Sequence, residues 1–164
     1  MLAHSTVLLI RHAEKPVRGK GLAPMGEARA QGYAAYFPSL PLDRPGYDFL
    51  FAAKDSHKSH RPRLTLTPLS ERIGVPIEMP WADDDYGPFA AMLLGKPDFT
   101  RKNIVVCWHH GKLLDLASQL LKGYKPPKEA DWPKPPWPGD VFGWLLWISY
   151  DKDENPTSQT WCYR

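Results

Sequence analysis

Thr6-Val7-Leu8-Leu9-Ile10-Arg11-His12 begins with five β-branched or apolar residues and then turns abruptly cationic. Alternation of polar and apolar residues would mark a strand with one wet face; its absence here predicts a strand, Thr6 to Ile10, buried on both faces. A strand of that kind belongs in the middle of a parallel sheet covered by helices. Ligands of such sheets bind outside the carboxyl ends of the strands, so Arg11 and His12 are the first suspects for chemistry.

The same pattern recurs downstream. Lys102 to Trp108 is a second apolar run with a polar end, His109-His110-Gly111, and Tyr47 to Ala53 is a third strand. Val75 to Met79 reads as a short strand. Met25 to Phe37 is a helix between Pro24 and Pro38, and Pro62 opens another whose apolar face is Leu64, Leu66, Leu69 and Ile73 before Gly74 ends it. Lys112 to Leu121 is a helix after the last parallel strand. Three strand-to-helix units predict an α/β fold, a three-layer α/β/α domain with a mainly parallel central sheet. Between Lys125 and Gly139 lie six prolines, at 126, 127, 133, 135, 136 and 138, with Trp132 and Trp137 among them, which predicts a loop or semi-rigid crossover. Strand Phe142 to Tyr150, a turn over Asp151 to Pro156 and strand Ser158 to Tyr163 then form a C-terminal edge hairpin, with Trp144, Trp147 and Trp161 on its apolar side.

Composition excludes several classes. A chain of 164 residues with 43% apolar content supports one core and one domain, residues 1–164, so intrinsic disorder is a poor reading. A net charge of +3 is too small to announce a nucleic-acid binder. The longest apolar runs, Phe89 to Leu94 and Trp144 to Ile148, fall far short of the roughly 20 residues of a bilayer span, so no membrane partner is expected. The opening residues lack a basic start and a long apolar stretch, which makes the cytoplasm the expected location. Cys107 and Cys162 stand far apart and read as buried thiols, without a disulfide framework or a cysteine zinc site. Oligomeric state is left open.

Polar residues after the predicted strands are Arg11 and His12, then Lys54, His57, Lys58, His60 and Arg61, then His109 and His110. The set Arg11, His12, Arg61 and His110 contains no carboxylate, and guanidinium and imidazole groups of that kind suit a dianionic phosphate, whose oxygens match the Arg fork. Within the His109-His110 pair, strand alternation turns at most one toward the phosphate. His57 and His60, three apart, lack a third metal ligand, so substrate contact or a solvated loop is the better reading; no metal and no cofactor are expected. There is no His-Glu-x-x-His zinc motif, no phosphate loop, since Gly26 is followed by Glu27, and no Gly-x-Ser-x-Gly elbow.

These residues carry a resemblance. Leu9-Ile10-Arg11-His12-Ala13-Glu14-Lys15-Pro16 resembles the Arg-His-Gly/Ala signature of the histidine phosphatase superfamily, the phosphoglycerate-mutase-like group. Leu22-x-x-x-Gly26-x-x-Arg29-Ala30 resembles that family's first helix, Ser59-His-Arg61-Pro-Arg-Leu-Thr65 its second arginine motif, and Val105-Val-Cys-Trp-His-His110-Gly111 the strand that delivers its second histidine. The elements stand in the family's order from about residue 6 to residue 121. The resemblance implies His12 as the nucleophile that accepts the phosphoryl group, with Arg11, Arg61 and His110 holding phosphate oxygens. It also implies a carboxylic acid that protonates the leaving group. Trp81-Ala-Asp83-Asp84-Asp85-Tyr86 lies where that acid is expected, with Asp84 or Asp85 preferred to Asp83. Lys15 and His57 are further candidates for substrate contact, and Trp81, Tyr86 and Trp108 either stack on a leaving group or pack. The implied activity is hydrolysis of a small phosphate monoester through a phosphohistidine; a phosphomutase and a catalytically silent phosphate-binding domain are the alternatives.

Overall fold

In the computed structural model, which describes residues 1–126 and 132–163, β1 (Thr6–Arg11) is buried at all six positions. It lies inside a six-stranded sheet with β2 (Phe49–Ala52), β3 (Ile77–Glu78), β4 (Asn103–Trp108), β5 (Trp144–Tyr150) and β6 (Pro156–Cys162), in the order β3-β2-β4-β1-β5-β6. The strands from β3 to β1 run parallel, β5 is antiparallel to β1, and β6 is antiparallel to β5. The architecture is the expected one: a mainly parallel sheet with the C-terminal hairpin at one edge.

The register of β1 on β4, from Thr6 opposite Asn103 to Arg11 opposite Trp108, sorts the side chains between two layers. Val7, Leu9, Ile104, Val106 and Trp108 join a core with α3 (Tyr86–Gly95) and α4 (His110–Leu120). Leu8, Ile10, Val105 and Cys107 join a core with α1 (Pro24–Tyr36) and α2 (Arg61–Ile73) on the opposite face. Successive strand residues point to opposite faces, so the unbroken apolar runs of β1 and β4 supply both cores at once.

Helix ends follow local chemistry. Pro24 and Pro62 sit in first turns, where a missing N–H leaves nothing unbonded. Gly74 closes α2 at φ 71°, a left-handed conformation that glycine adopts without steric cost, and its N–H bonds back to Ser70. α4 begins two residues ahead of the expected Lys112, which brings His110 into its first turn. α3 was not anticipated. Its sequence, Tyr-Gly-Pro-Phe-Ala-Ala-Met-Leu-Leu-Gly, offers no polar face for a helical period to reveal.

Several expectations are corrected at the C-terminal end. β5 starts at Trp144, and Phe142 precedes it in a loop. The tryptophans do not share one side: Trp147 stacks on Trp161 in the α1/α2 layer, whereas Trp144 meets Trp137 in the α3/α4 layer, because positions 144 and 147 differ by an odd number along one strand. Cys107 is buried as expected, but Cys162, on the edge strand β6, is exposed. Of the proline-rich segment 125–139, residues 127–131, Pro127 among them, lie outside the described residues. Among the described residues no helix is long and apolar enough to cross a membrane.

Candidate active site

β1 delivers His12 to the carboxyl edge of the sheet with only 3% of its surface exposed. Its backbone N–H continues the ladder to the Trp108 carbonyl at 3.1 Å. Nδ1 lies 2.7 Å from the carbonyl oxygen of Ala13. A carbonyl only accepts, so Nδ1 carries the proton and Nε2 keeps its lone pair, the tautomer a nucleophilic imidazole requires. Burial is the largest influence on this ring, and His109, Arg11 and Arg61 act in the same direction against the Ala13 carbonyl; together they push His12 down to about 3. The ring is neutral at pH 7.

The residues around His12 explain the spacing of the motifs. Thr65, fully buried, donates its hydroxyl to the Arg61 carbonyl one helical turn back at 2.8 Å and accepts the Ala13 N–H at 2.9 Å. An Arg four positions before a Thr therefore ties the start of α2 to Ala13, the residue whose carbonyl orients the His12 ring. Glu14, next in the loop, receives Arg29 from α1 through Nε at 2.9 Å and Nη2 at 2.7 Å. A Cβ on Gly26 would stand 2.4 Å from the Glu14 carbonyl oxygen, so only glycine lets α1 approach this closely. The Ala23 N–H bonds to that same oxygen at 2.9 Å.

The two arginines are held differently. Arg11 is 1% exposed and lies under the Phe142 ring, with Cζ 3.8 Å from the centroid. Its Nη1 donates to the carbonyls of Gly139 and Val141, each at 2.9 Å, and Pro138 at 3.4 Å. Nε is buried without a hydrogen-bond partner among the described residues. Arg61, in the first turn of α2, donates Nη1 to the carbonyls of Gly19 at 3.1 Å and Gly21 at 3.4 Å, and its Nε is likewise buried and unpartnered. Burial lowers Arg11 to about 10, against Glu14 and Asp140, and lowers Arg61 as well; Arg11 stays cationic at neutral pH. The Phe142 loop is a component that sequence reasoning missed, because a loop 130 residues from Arg11 leaves no local signal.

His109 follows β4 and caps α4, whose first residue is His110. Arg11 is in register with Trp108, so the next pair across the two strands is His12 and His109. Their rings meet edge to face at 5.1 Å. Burial first, then Arg61, His110 and Arg11, lower His109 to about 4. His110, in the first turn of α4, is partly exposed; burial lowers it too, helped by Arg11 and Lys15. The ring beside His12 is thus that of His109.

The aspartates sort by burial. Asp83–Asp85 form a 3₁₀ turn ahead of α3, anchored by Trp108 Nε1 donating to the Asp83 carbonyl at 3.1 Å, while Trp108 itself stacks on Phe89 inside the core. Asp84 and Asp85 are exposed. Asp83 is half-buried with a buried, unpartnered Oδ1; burial and then Asp84 raise it to about 6 against Lys112. Trp81 and Tyr86 pack against the α3/α4 core. Lys15 and His57 are exposed on their loops. Among the described residues no three His, Cys, Asp or Glu side chains converge as metal ligands.

No protein-family model matches this chain, and no curated protein matches it by sequence. Solved structures do. The protein histidine phosphatase SixA, complexed with tungstate, superposes with a TM-score of 0.66 at 16% identity over 96% of both chains. A phosphoglycerate mutase from Plasmodium falciparum gives 0.62 at 12% identity over 94% of this chain and 88% of that one. A mycobacterial glucosyl-3-phosphoglycerate phosphatase gives 0.57 at 14% identity over 97% and 99%. All three are histidine phosphatase superfamily members. The motifs resemble that superfamily in order, and the chain has its fold.

Proposed function

We propose that this protein is a metal-independent histidine phosphatase that hydrolyses a small phosphate monoester through a phosphohistidine on His12. The observation that carries the reading is the neutral His12, its Nδ1–H held by Ala13 and its Nε2 lone pair free, beside two guanidinium groups whose buried Nε donors have no partner among the described residues. Phosphoryl transfer asks little else of a protein than an in-line nucleophile and preorganised positive charge around the equatorial oxygens. Nε2 attacks phosphorus, the ester P–O bond breaks, and the leaving oxygen takes a proton. Asp83, raised to about 6, is our choice of donor over Asp84 and Asp85, since a carboxyl that is still partly protonated near neutrality must be shielded from water. Water then attacks the phosphohistidine, Asp83 takes back a proton, and phosphate leaves with the imidazole restored. Arg11, Arg61 and His110 hold the phosphate oxygens in this reading, and His109 keeps His12 unprotonated and in place. The exposed, unpaired Cys162 thiol suits a reducing, cytoplasmic compartment.

The test is a metal-free rapid-quench reaction with a ³²P-labelled generic monoester. Wild type should carry label that survives alkali and is lost in acid, and folded His12→Ala should carry none. Undiminished turnover by folded His12→Ala would reject the assignment.

A further inference from the structure

Two loops leave the carboxyl edge beside His12: residues 14–22 after β1, and residues 54–63 between β2 and the first turn of α2. They are stitched into one surface by Arg61 on the Gly19 and Gly21 carbonyls and by the His60 N–H on the Lys20 carbonyl at 2.9 Å. Together they hold seven cationic side chains against two carboxylates, a net +5 in a chain whose total is +3, so the remainder of the molecule is net negative. Both carboxylates already have partners, Glu14 with Arg29 at 2.7 Å and Asp55 with Arg63 at 2.9 Å. Lys15, Arg18, Lys20, Lys54, Lys58 and Arg61 form no ion pair among the described residues, and all but Arg61 are exposed.

One bound phosphate does not call for this surplus. Arg11, Arg61 and the imidazoles already supply donors for its three non-bridging oxygens, and the five exposed cations extend along the loops beyond them. Like charges gathered on one edge repel each other at a cost that an anionic ligand reverses, and exposed charges act over about one Debye length, roughly 8 Å in physiological salt.

We propose that the substrate is a small molecule with at least two phosphate groups, one cleaved at His12 and another held by the cationic rim of Lys15, Arg18, Lys20, Lys54 and Lys58. This rests on the phosphatase reading and adds the second phosphate. One ester P–O bond is hydrolysed, and the product keeps the phosphate on the rim.

A matched pair of probes tests it: 1,4-butanediol bisphosphate and 4-hydroxybutyl phosphate, compared by kcat/KM and, on His12→Ala protein, by calorimetric affinity. The bisphosphate should be preferred by about tenfold or more in both, the worth of two or three exposed charge pairs acting together. Lys20→Gln with Lys58→Gln should bring the ratio toward one. Lys96→Gln with Lys152→Gln, which removes the same charge from other loops, should leave the ratio in place. Equal values for the two probes in wild type would overturn the inference while leaving a His12-dependent phosphatase standing; equal loss of preference in both double variants would overturn it too, as an effect of net charge alone. If neither probe is turned over, the phosphatase reading is what has failed, and the affinity ratio still decides the rim.

Discussion

Replacing Thr65 with valine exchanges one hydroxyl for a methyl at a position with no solvent exposure, so shape is kept and only hydrogen bonding changes. The Ala13 N–H, bonded to that hydroxyl at 2.9 Å in a residue that is itself fully buried, would be left without a partner. A buried donor in that position costs about 1–3 kcal/mol. The Arg61 carbonyl keeps its helical acceptor role and contributes less. For a chain of this length, about 2 kcal/mol corresponds to a fall in Tm of roughly 4–8 °C. The catalytic effect should be larger than the thermal one suggests, because the N–H released belongs to Ala13, the residue whose carbonyl orients His12. A fall of about tenfold or more in kcat is expected with KM little changed, since the side chains of Arg11 and Arg61, proposed to hold phosphate, are unchanged. Serine keeps the hydroxyl and should restore kcat while losing only the methyl, about 1 kcal/mol. Urea unfolding followed by tryptophan fluorescence, with phosphate release measured on the same preparations, reads both quantities. A valine variant as stable and as active as wild type would refute the reasoning.

Acid should destabilise the fold in a specific window. His12 and His109, held near 3 and 4 against an ordinary 6.5, bind fewer protons folded than unfolded, so their share of stability is complete above pH 6.5 and is lost as pH falls toward 4. Each can cost up to about 1.4 kcal/mol per pH unit there, with raised Asp83 acting in the opposite sense, and a urea midpoint constant from pH 7 to 4 would contradict this. The alkaline limb of kcat/KM should turn near Asp83's value of about 6 and vanish in Asp83→Asn. Asp84→Asn should move that limb down and Lys112→Gln up, since those groups push Asp83 in opposite directions; an unmoved limb would remove Asp83 from the proton transfer. Gly26→Ala drives a Cβ into the Glu14 backbone and should cost about 1–3 kcal/mol together with activity, whereas an unperturbed variant would show that α1 need not sit so close.

The central strands, the helices α1, α2 and α4, and the edge hairpin were legible in the chain because a short unbroken apolar run with a polar end, or a one-sided period between turn residues, marks each in local sequence. Arg11, His12 and the histidine pair were found for a related reason, since they stand at the ends of those strands, and Arg61 because it opens the helix that follows β2. α3 escaped because a segment apolar on every side has no period, and Phe142 was assigned to a strand because its apolar neighbours continue the pattern of β5. Which of His109 and His110 faces His12 was settled by the register of β4 on β1, a relation between residues about a hundred positions apart. The ranking of the three aspartates was equally hidden, since adjacent identical residues differ only in how much water the fold leaves them. Local sequence determined which side chains reach the carboxyl edge of the sheet; the packing of distant segments decided their protonation, their orientation and their partners, because desolvation and hydrogen-bond geometry exist only once the chain has closed around them.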